Sequence, residues 1–249
     1  MTEATRAAAF SRLRVGRARL QVAAGVATEW VQELVPWAAA LAMKGTQGVV
    51  SHQAPPGRAG EVMVKLYRFR QKDHLWRRLR TSRAVKEGAG YLAFQQRGLL
   101  VPELLVSGES RRWGLFELGL VVTTRVPAIS VADEFASRGE PDLLFATARE
   151  LSTIHLAGLA HGDPYTRNFL ATRPRPMPLD IASWSRFGRA SQLQDLTRFT
   201  CSILKLTGDP MRASALLQHY ASAGLPLPIS ADALLDRARA YAEGRRIRA

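Results

Sequence analysis

Cysteine is almost missing from this 249-residue chain. Cys201 stands alone, so no internal disulfide is available, and without a CxxC or a Cys/His cluster there is no thiolate zinc site. A reducing compartment is the expectation. Long apolar runs are missing as well: residues 25–43 are interrupted by Glu29, Glu33 and Pro36 and fall short of the roughly 20 clean apolar residues of a spanning helix. The first nineteen residues carry five arginines but neither an apolar stretch nor a small-residue cleavage site, which argues against a secretory signal. We expect a cytoplasmic protein, peripheral to a membrane at its inner face. No internal repeat is present, and 47% hydrophobic with 22% charged residues describes a globular chain, large for one core and suited to a two-lobed domain.

Negative charge is the scarce sign. Asp and Glu number 21 against 35 Lys and Arg, a formal net charge of +14, so an anionic partner is expected. The total does not choose among nucleic acid, acidic lipid headgroups and phosphorylated small molecules. Its distribution is more informative. Between Arg58 and Arg97 lie eleven basic residues against three acidic ones, so more than half the excess occupies forty residues.

Residues 3–42 are rich in Ala, Leu and Val at helical spacing, broken near Gly25 and Pro36, and read as one or two helices in an extension over 1–43. From Lys44 the texture changes to KGTQGVVSHQ, a short strand with glycines, then the turn APPGRAG and the strand EVMVKLYRF, a hairpin with Lys65 in its second strand. Residues 82–96 read as a helix ended by Gly98, and two strands follow around a turn at 109–112. After Pro127 the chain turns helical, over 131–137, 142–156, 193–206, 210–223 and 230–244. Residues 157–188 are dense in Gly, Pro and polar residues, where a loop-borne site is expected. The division is therefore a small sheet with one helix over 44–126 and a larger helical part over 127–249.

HGDPYTRN, residues 161–168, combines His, Asp two residues on and Asn five further on. Asp180 follows seventeen residues after Asp163 in PLDIA, Lys65 sits in VMVKLYR, and Glu87 lies in the next helix. In that order, on those elements, the four pieces resemble the catalytic loop, metal-binding Asp, phosphate-binding Lys and ion-pair Glu of the protein-kinase fold. Within it, the segments VKLYRFR, SRAVKEGAGYLAFQQRGLLVPELLVSGES, LSTIHLAGLAHGDPYTRNFLA, PLDIA and QDLTRFTCSILKLTGD are similar to the bacterial lipopolysaccharide kinase family, over roughly 44–223. That family phosphorylates Kdo or heptose of the lipid A core.

The resemblance implies an α+β, two-lobed protein-kinase-like fold with a small antiparallel-sheet N-lobe and a short helical C-lobe. It implies ATP and Mg2+, with Lys65 on the α and β phosphates, Glu87 holding Lys65, Asp163 accepting or orienting the acceptor proton, and Asn168 with Asp180 on the metal. Gly45 and Gly48 stand where a loop would cover the nucleotide, and the backbone near Thr124 and Val126 where adenine would sit. Asp195 in QDLTRF matches a buried aspartate that supports the catalytic-loop backbone. The implied acceptor is an anionic glycolipid or sugar. The departures are specific: there is no GxGxxG, His-Gly-Asp replaces His-Arg-Asp, DIA replaces DFG, and no APE-like segment occurs in the 69 residues after Asp180. They count against phosphate-regulated loops and a peptide-binding platform, and HGD also occurs in aminoglycoside and choline kinases.

Other readings stand beside these. A Ser/Thr protein kinase or small-molecule kinase shares the chemistry, and a catalytically silent module on anionic membrane or nucleic acid shares the charge. The run RFRQKDHLWRRLRTSR is in the commonest case a solvated face; its Phe69, Trp76 and Leu79 suit acidic lipid ahead of nucleic acid, since no nucleic-acid motif accompanies it. His155 reads as a packing histidine, His161 as a hydrogen-bonding brace, and Trp30 and Trp37 as core residues.

Overall fold

The computed structural model describes residues 10–45, 48–68 and 78–246, and the part of the basic run that holds Phe69 and Trp76 lies outside them. Six strands form one antiparallel sheet in the order β1-β2-β5-β6-β4-β3: β1 Phe10–Val15, β2 Ala18–Ala23, β3 Gly48–Gln53, β4 Glu61–Arg68, β5 Leu104–Arg112 and β6 Leu115–Thr124. Helix α1, Thr28–Met43, and helix α2, Arg83–Gln96, belong to the same unit. That unit runs to Gly98 and resumes over Pro102–Val126; Leu99–Val101 and everything from Pro127 onward form a second unit.

The helical reading of residues 3–42 is corrected for 10–23, which are strands. FSRLRV and ARLQVA alternate with period two, burying Ala18, Leu20 and Val22 and exposing Arg12, Arg14 and Arg19. Alanine and leucine content hid that alternation. Residues 3–9 of that reading lie outside the described residues, and 10–43 are not an extension: β2 pairs with β5, Ala18 opposite Ser110 and Val22 opposite Val106, so the hairpin continues the sheet. The small unit thus carries a second helix, α1, whose Trp30, Val31, Leu34 and Ala38 cover one sheet face through Val62, Val64, Val106 and Val122. Trp30 and Trp37 meet His52 edge-on, which makes both packing residues. The turn expected at 109–112 lies at Trp113 and Gly114, both in the left-handed region at φ 50° and 79°.

Helix α2 lies on the opposite face. Ser82 caps its start by accepting from Val85 N–H at 3.3 Å. Close approach to the sheet depends on two missing side chains, because a Cβ at Gly88 would overlap Ser107 and one at Gly119 would overlap Ala84. On β4, Val62, Val64 and Leu66 point into the core, and Met63, Lys65 and Tyr67 occupy the other face.

The second unit is mainly helical: α3 Val131–Arg138, α4 Pro141–Leu156, α5 Arg189–Thr207, α6 Pro210–Ser222 and α7 Ala231–Arg246. Helix α4 packs on α6 and α5 on α7, around buried Leu144, Leu151, Ile154, Leu196, Phe199 and Leu216. Between α4 and α5 four two-residue strands, β7 Leu159–Ala160, β8 Phe169–Leu170, β9 Met177–Pro178 and β10 Ser185–Arg186, pair as β7 with β10 and β8 with β9. These pairings brace the polar loops that carry the candidate residues. Among the described residues, no helix is long and apolar enough to cross a membrane.

Candidate active site

On the small unit, Glu87 is buried to 1% exposure, a placement a carboxylate tolerates only when paired. Lys65 Nζ lies 3.1 Å from its Oε1, and the Tyr67 hydroxyl donates to Oε2. Both oxygens are therefore engaged by alternate residues of one strand face. Lys65 also lies over the Tyr67 ring, 5.4 Å from its centroid. The two glycines that let α2 approach the sheet are what bring Glu87 within reach. Gly45, at φ 90°, follows the end of α1, and Gly48, at φ 104°, begins β3, so the connection expected over the nucleotide joins a helix to a strand. At the other end of β6 the Thr124 N–H donates to Glu103 O at 3.0 Å and its hydroxyl accepts from Glu103 N–H at 3.1 Å. Val126 is the last residue of this unit.

On the helical unit the loop 161–168 hangs from one buried aspartate. Asp195 on α5 accepts from the backbone N–H of His161 at 2.7 Å and of Gly162 at 2.9 Å, and its Oδ2 lies 3.1 Å from His155 Nε2. Gln192 Nε2 faces the Pro226 carbonyl at 2.9 Å, which only accepts, and the same nitrogen reaches the Tyr220 hydroxyl at 3.1 Å. Tyr220 thus accepts from Gln192 and donates to His155 Nδ1 at 2.7 Å, leaving the imidazole Nε2–H to donate to Asp195. Burial pushes the Tyr220 phenol up to about 12, against the Gln192 donor and with the Asp195 charge, so it stays a donor. His155 is the packing histidine the sequence suggested.

Asp163 is held at both oxygens. Asn168 Nδ2 donates to its carbonyl at 2.8 Å and to Oδ2 at 3.2 Å, and Arg198 Nη1 lies 3.7 Å from Oδ1. Because both partners of the Asn168 amide nitrogen are acceptors, its Oδ1 is turned away from them. Leu179 N–H donates to the Asn168 carbonyl at 2.8 Å, tying this loop to the segment of Asp180. Asp180 itself adopts φ 52°, ψ 49°, left-handed backbone that Asp tolerates better than most residues. An amide oxygen and a carboxylate are hard donors, and magnesium asks a protein for one or two carboxylates, so the residues fit that ion. A group of three or more His, Cys, Asp or Glu suited to a metal does not occur among the described residues.

His161 is fully buried, and burial depresses its imidazole below the ordinary value despite the opposing charges of Asp195, Asp163 and Asp180. Its Nδ1 accepts from Asp163 N–H at 3.3 Å, a brace rather than a proton carrier. Gly162 has φ 83°, and a Cβ there would overlap the Ser183 carbonyl, so the glycine of HGD is imposed by the loop after Asp180. Sequence reasoning missed Tyr67 and Arg198. The signals were present: Tyr67 shares a strand face with Lys65 at spacing two, and Arg198 shares a helix face with Asp195 at spacing three.

No curated protein matches the chain. Among solved structures, WaaP in complex with acyl carrier protein is similar at 19% identity with a TM-score of 0.53, covering 82% of this chain and 90% of that one. The kinase domain of Mycobacterium tuberculosis PknI aligns at 13% identity and TM-score 0.43 over 94% and 98%, and the bifunctional kinase-methyltransferase WbdD at 17% and 0.45 over 73% and 41%. The first of these likenesses shows a protein-kinase-like fold. Residues 43–198 match the family model of the lipopolysaccharide kinase (Kdo/WaaP) family, a span that takes in Lys65, Glu87, the loop 161–168, Asp180 and Asp195. Well over half the sequence lies inside that match, and the chain belongs to the lipopolysaccharide kinase (Kdo/WaaP) family of phosphotransferases acting on hydroxyl groups.

Proposed function

We propose that the chain transfers the γ-phosphoryl group of ATP to a hydroxyl of a lipopolysaccharide-core sugar or a related anionic glycolipid, at the cytoplasmic face of a membrane. The observation that carries the reading is Asp163, a carboxylate fixed at both oxygens by Asn168 and Arg198 on a loop hung from buried Asp195. A loose phosphoryl-transfer transition state leaves the protein little covalent work, so positioning and electrostatics dominate. In this reading Lys65, steadied by Glu87 and Tyr67, engages the α and β phosphates. Asp163 orients the acceptor hydroxyl and takes its proton as the bond to phosphorus forms.

Asn168 Oδ1 and Asp180 would hold magnesium, which when bound neutralises charge on the nucleotide phosphates. With the Thr124 N–H engaged by Glu103, adenine would meet the backbone nearer Val126. Gly45 and Gly48 would flank the nucleotide from a connection with no GxGxxG.

The anionic sugar is favoured by a cleft of about 530 Å³ between α5 and α7, lined by Arg198, Arg237, Gln194, Thr197 and Tyr241. Two guanidinium groups with amide and hydroxyl neighbours suit a carboxylate- or phosphate-bearing sugar. Arg198 also reaches Asp163, which links such a cleft to the reacting hydroxyl. The test is transfer of labelled phosphate from ATP into separated lipid, glycan and protein fractions. Label is expected in lipid-linked glycan, falling about 10²- to 10⁴-fold in Asp163→Ala. Label confined to protein would favour a protein kinase, and equal label from both proteins would end the reading.

A further inference from the structure

The arginine excess is not confined to the forty-residue stretch. At one end of the sheet two turns lie side by side, Gly16-Arg17 between β1 and β2 and Trp113-Gly114 between β5 and β6, because Ala18 pairs with Ser110. A cleft of about 300 Å³ opens between these hairpins, lined by Arg14, Arg17, Arg19, Arg111 and Gly114, with Glu109. The two nearby acids are already engaged, Glu109 by Arg111 and Glu117 by Arg17 at 4.0 Å. Positive charge therefore dominates this end.

Trp113 stands at its tip. It is 84% exposed, the most exposed large apolar side chain among the described residues. Its backbone, at φ 50°, belongs to a two-residue turn in which Asn or Gly is usual and a bulky residue is strained. Such strain at a solvent-facing tip points to a use for the side chain. Arg111 also fastens a second segment here, donating to the carbonyls of Arg78 at 2.9 Å, Gly114 at 2.8 Å and Arg80 at 2.7 Å. Leu79, half exposed, is thereby anchored beside the turn.

We propose that this end of the sheet docks on an anionic phospholipid bilayer, with Trp113 entering the headgroup region and Arg14, Arg17 and Arg19 meeting lipid phosphates. Guanidinium forks pair bidentately with phosphate oxygens, and tryptophan partitions to the boundary between headgroups and acyl chains. Nucleic acid fits less well. Base stacking needs an open aromatic face in a groove, whereas Trp113 projects from a turn and Arg112 lies over its ring, 4.3 Å from the centroid. The proposal does not rest on the kinase reading, since none of these residues belongs to the candidate active site.

The test is sedimentation of the full chain with vesicles of phosphatidylcholine alone or with 3:1 phosphatidylcholine and phosphatidylglycerol, at about 0.1 M salt, where the screening length is about 10 Å. Binding to the anionic vesicles is expected, weakened roughly a hundred-fold by Arg14→Gln, Arg17→Gln and Arg19→Gln together, at about five-fold per arginine. Trp113→Asn places a preferred residue in the turn, so it should keep or raise the melting temperature while weakening partition about ten-fold.

A control with Arg138→Gln, Arg149→Gln and Arg239→Gln removes equal charge from the helical unit and should weaken binding far less. Equal loss in the control, wild-type partition in Trp113→Asn, or no vesicle binding would overturn the proposal. So would preferential binding of duplex DNA that Trp113→Asn leaves unchanged.

Discussion

Asp195 is the residue whose loss should be felt furthest. It has no solvent exposure, and its carboxylate collects the N–H groups of His161 and Gly162 and the His155 imidazole. Replacement by alanine leaves three buried donors without an acceptor, each worth about 1–3 kcal/mol when stranded. Simple addition overstates the total because the loop relaxes; breaking a buried charged group typically costs about 3–5 kcal/mol. With a melting shift of roughly 2–4 °C per kcal/mol at this chain length, Asp195→Ala should melt about 6–20 °C lower. Asp195→Asn keeps one acceptor but turns an amide NH2 towards a donor, and should lose about half as much. Calorimetry measures the shift, and amide hydrogen exchange locates it: His161 and Gly162 should lose protection before the rest of the helical unit. A variant melting within about 2 °C of wild type, with those two amides still protected, would refute the assignment of Asp195 as the loop's anchor.

Three further outcomes follow from single groups. Tyr67→Phe removes the hydroxyl on Glu87 Oε2 but keeps the ring, so it should cost about 1.5 kcal/mol in denaturant melts and raise the KM for ATP several-fold with little change in kcat. Gly162→Ala meets both a φ of 83° and the Ser183 carbonyl, and should destabilise by about 3 kcal/mol and slow turnover roughly a hundred-fold through displaced Asp163, read by melting and single-turnover assays. Glu150 is buried, with Arg175 3.6 Å away, and burial raises its carboxyl to about 7 from 4.5 despite that arginine. The folded state then holds a proton that the unfolded chain releases, so the contribution is full below about 4.5 and falls as pH rises to about 7, by up to about 3 kcal/mol. Glu150→Gln should remove that decline, seen as the difference between the two melting curves against pH.

How far the sequence could be read depended on the range of the interaction. The β3–β4 hairpin, α2 and the helices after Pro127 were legible because periodicity and turn residues are local. The loop 161–168, where Asn168 meets Asp163, was legible as a unit because its residues lie within eight positions. The β1–β2 hairpin was not: its short strands share their composition with a helix, and what stabilises them is pairing with β5, almost ninety residues away. Trp113 was hidden for a similar reason. Nothing in RRWGLF says that the turn falls on the tryptophan until β6 is registered against β5. Lys65 and Glu87 were found from their order along the chain, but Gly88 and Gly119, which bring the helix close enough for that pair, carry no chemistry of their own and left no signal.

The glycine of HGD shows how a departure from a motif can be a requirement. From the sequence, Gly162 is the loss of an arginine that would receive an activation-loop phosphate. In the fold, any side chain at that position would collide with the backbone of Ser183, three residues after Asp180. The missing side chain therefore lets two polar loops lie against each other, and Leu179 N–H on the Asn168 carbonyl ties them a second time. An arginine-phosphate contact orders a segment only after modification; here backbone packing supplies order from the start. The loops that carry Asp163, Asn168 and Asp180 are held by glycine packing, a backbone hydrogen bond and buried Asp195, none of which carries a hydroxyl to be phosphorylated.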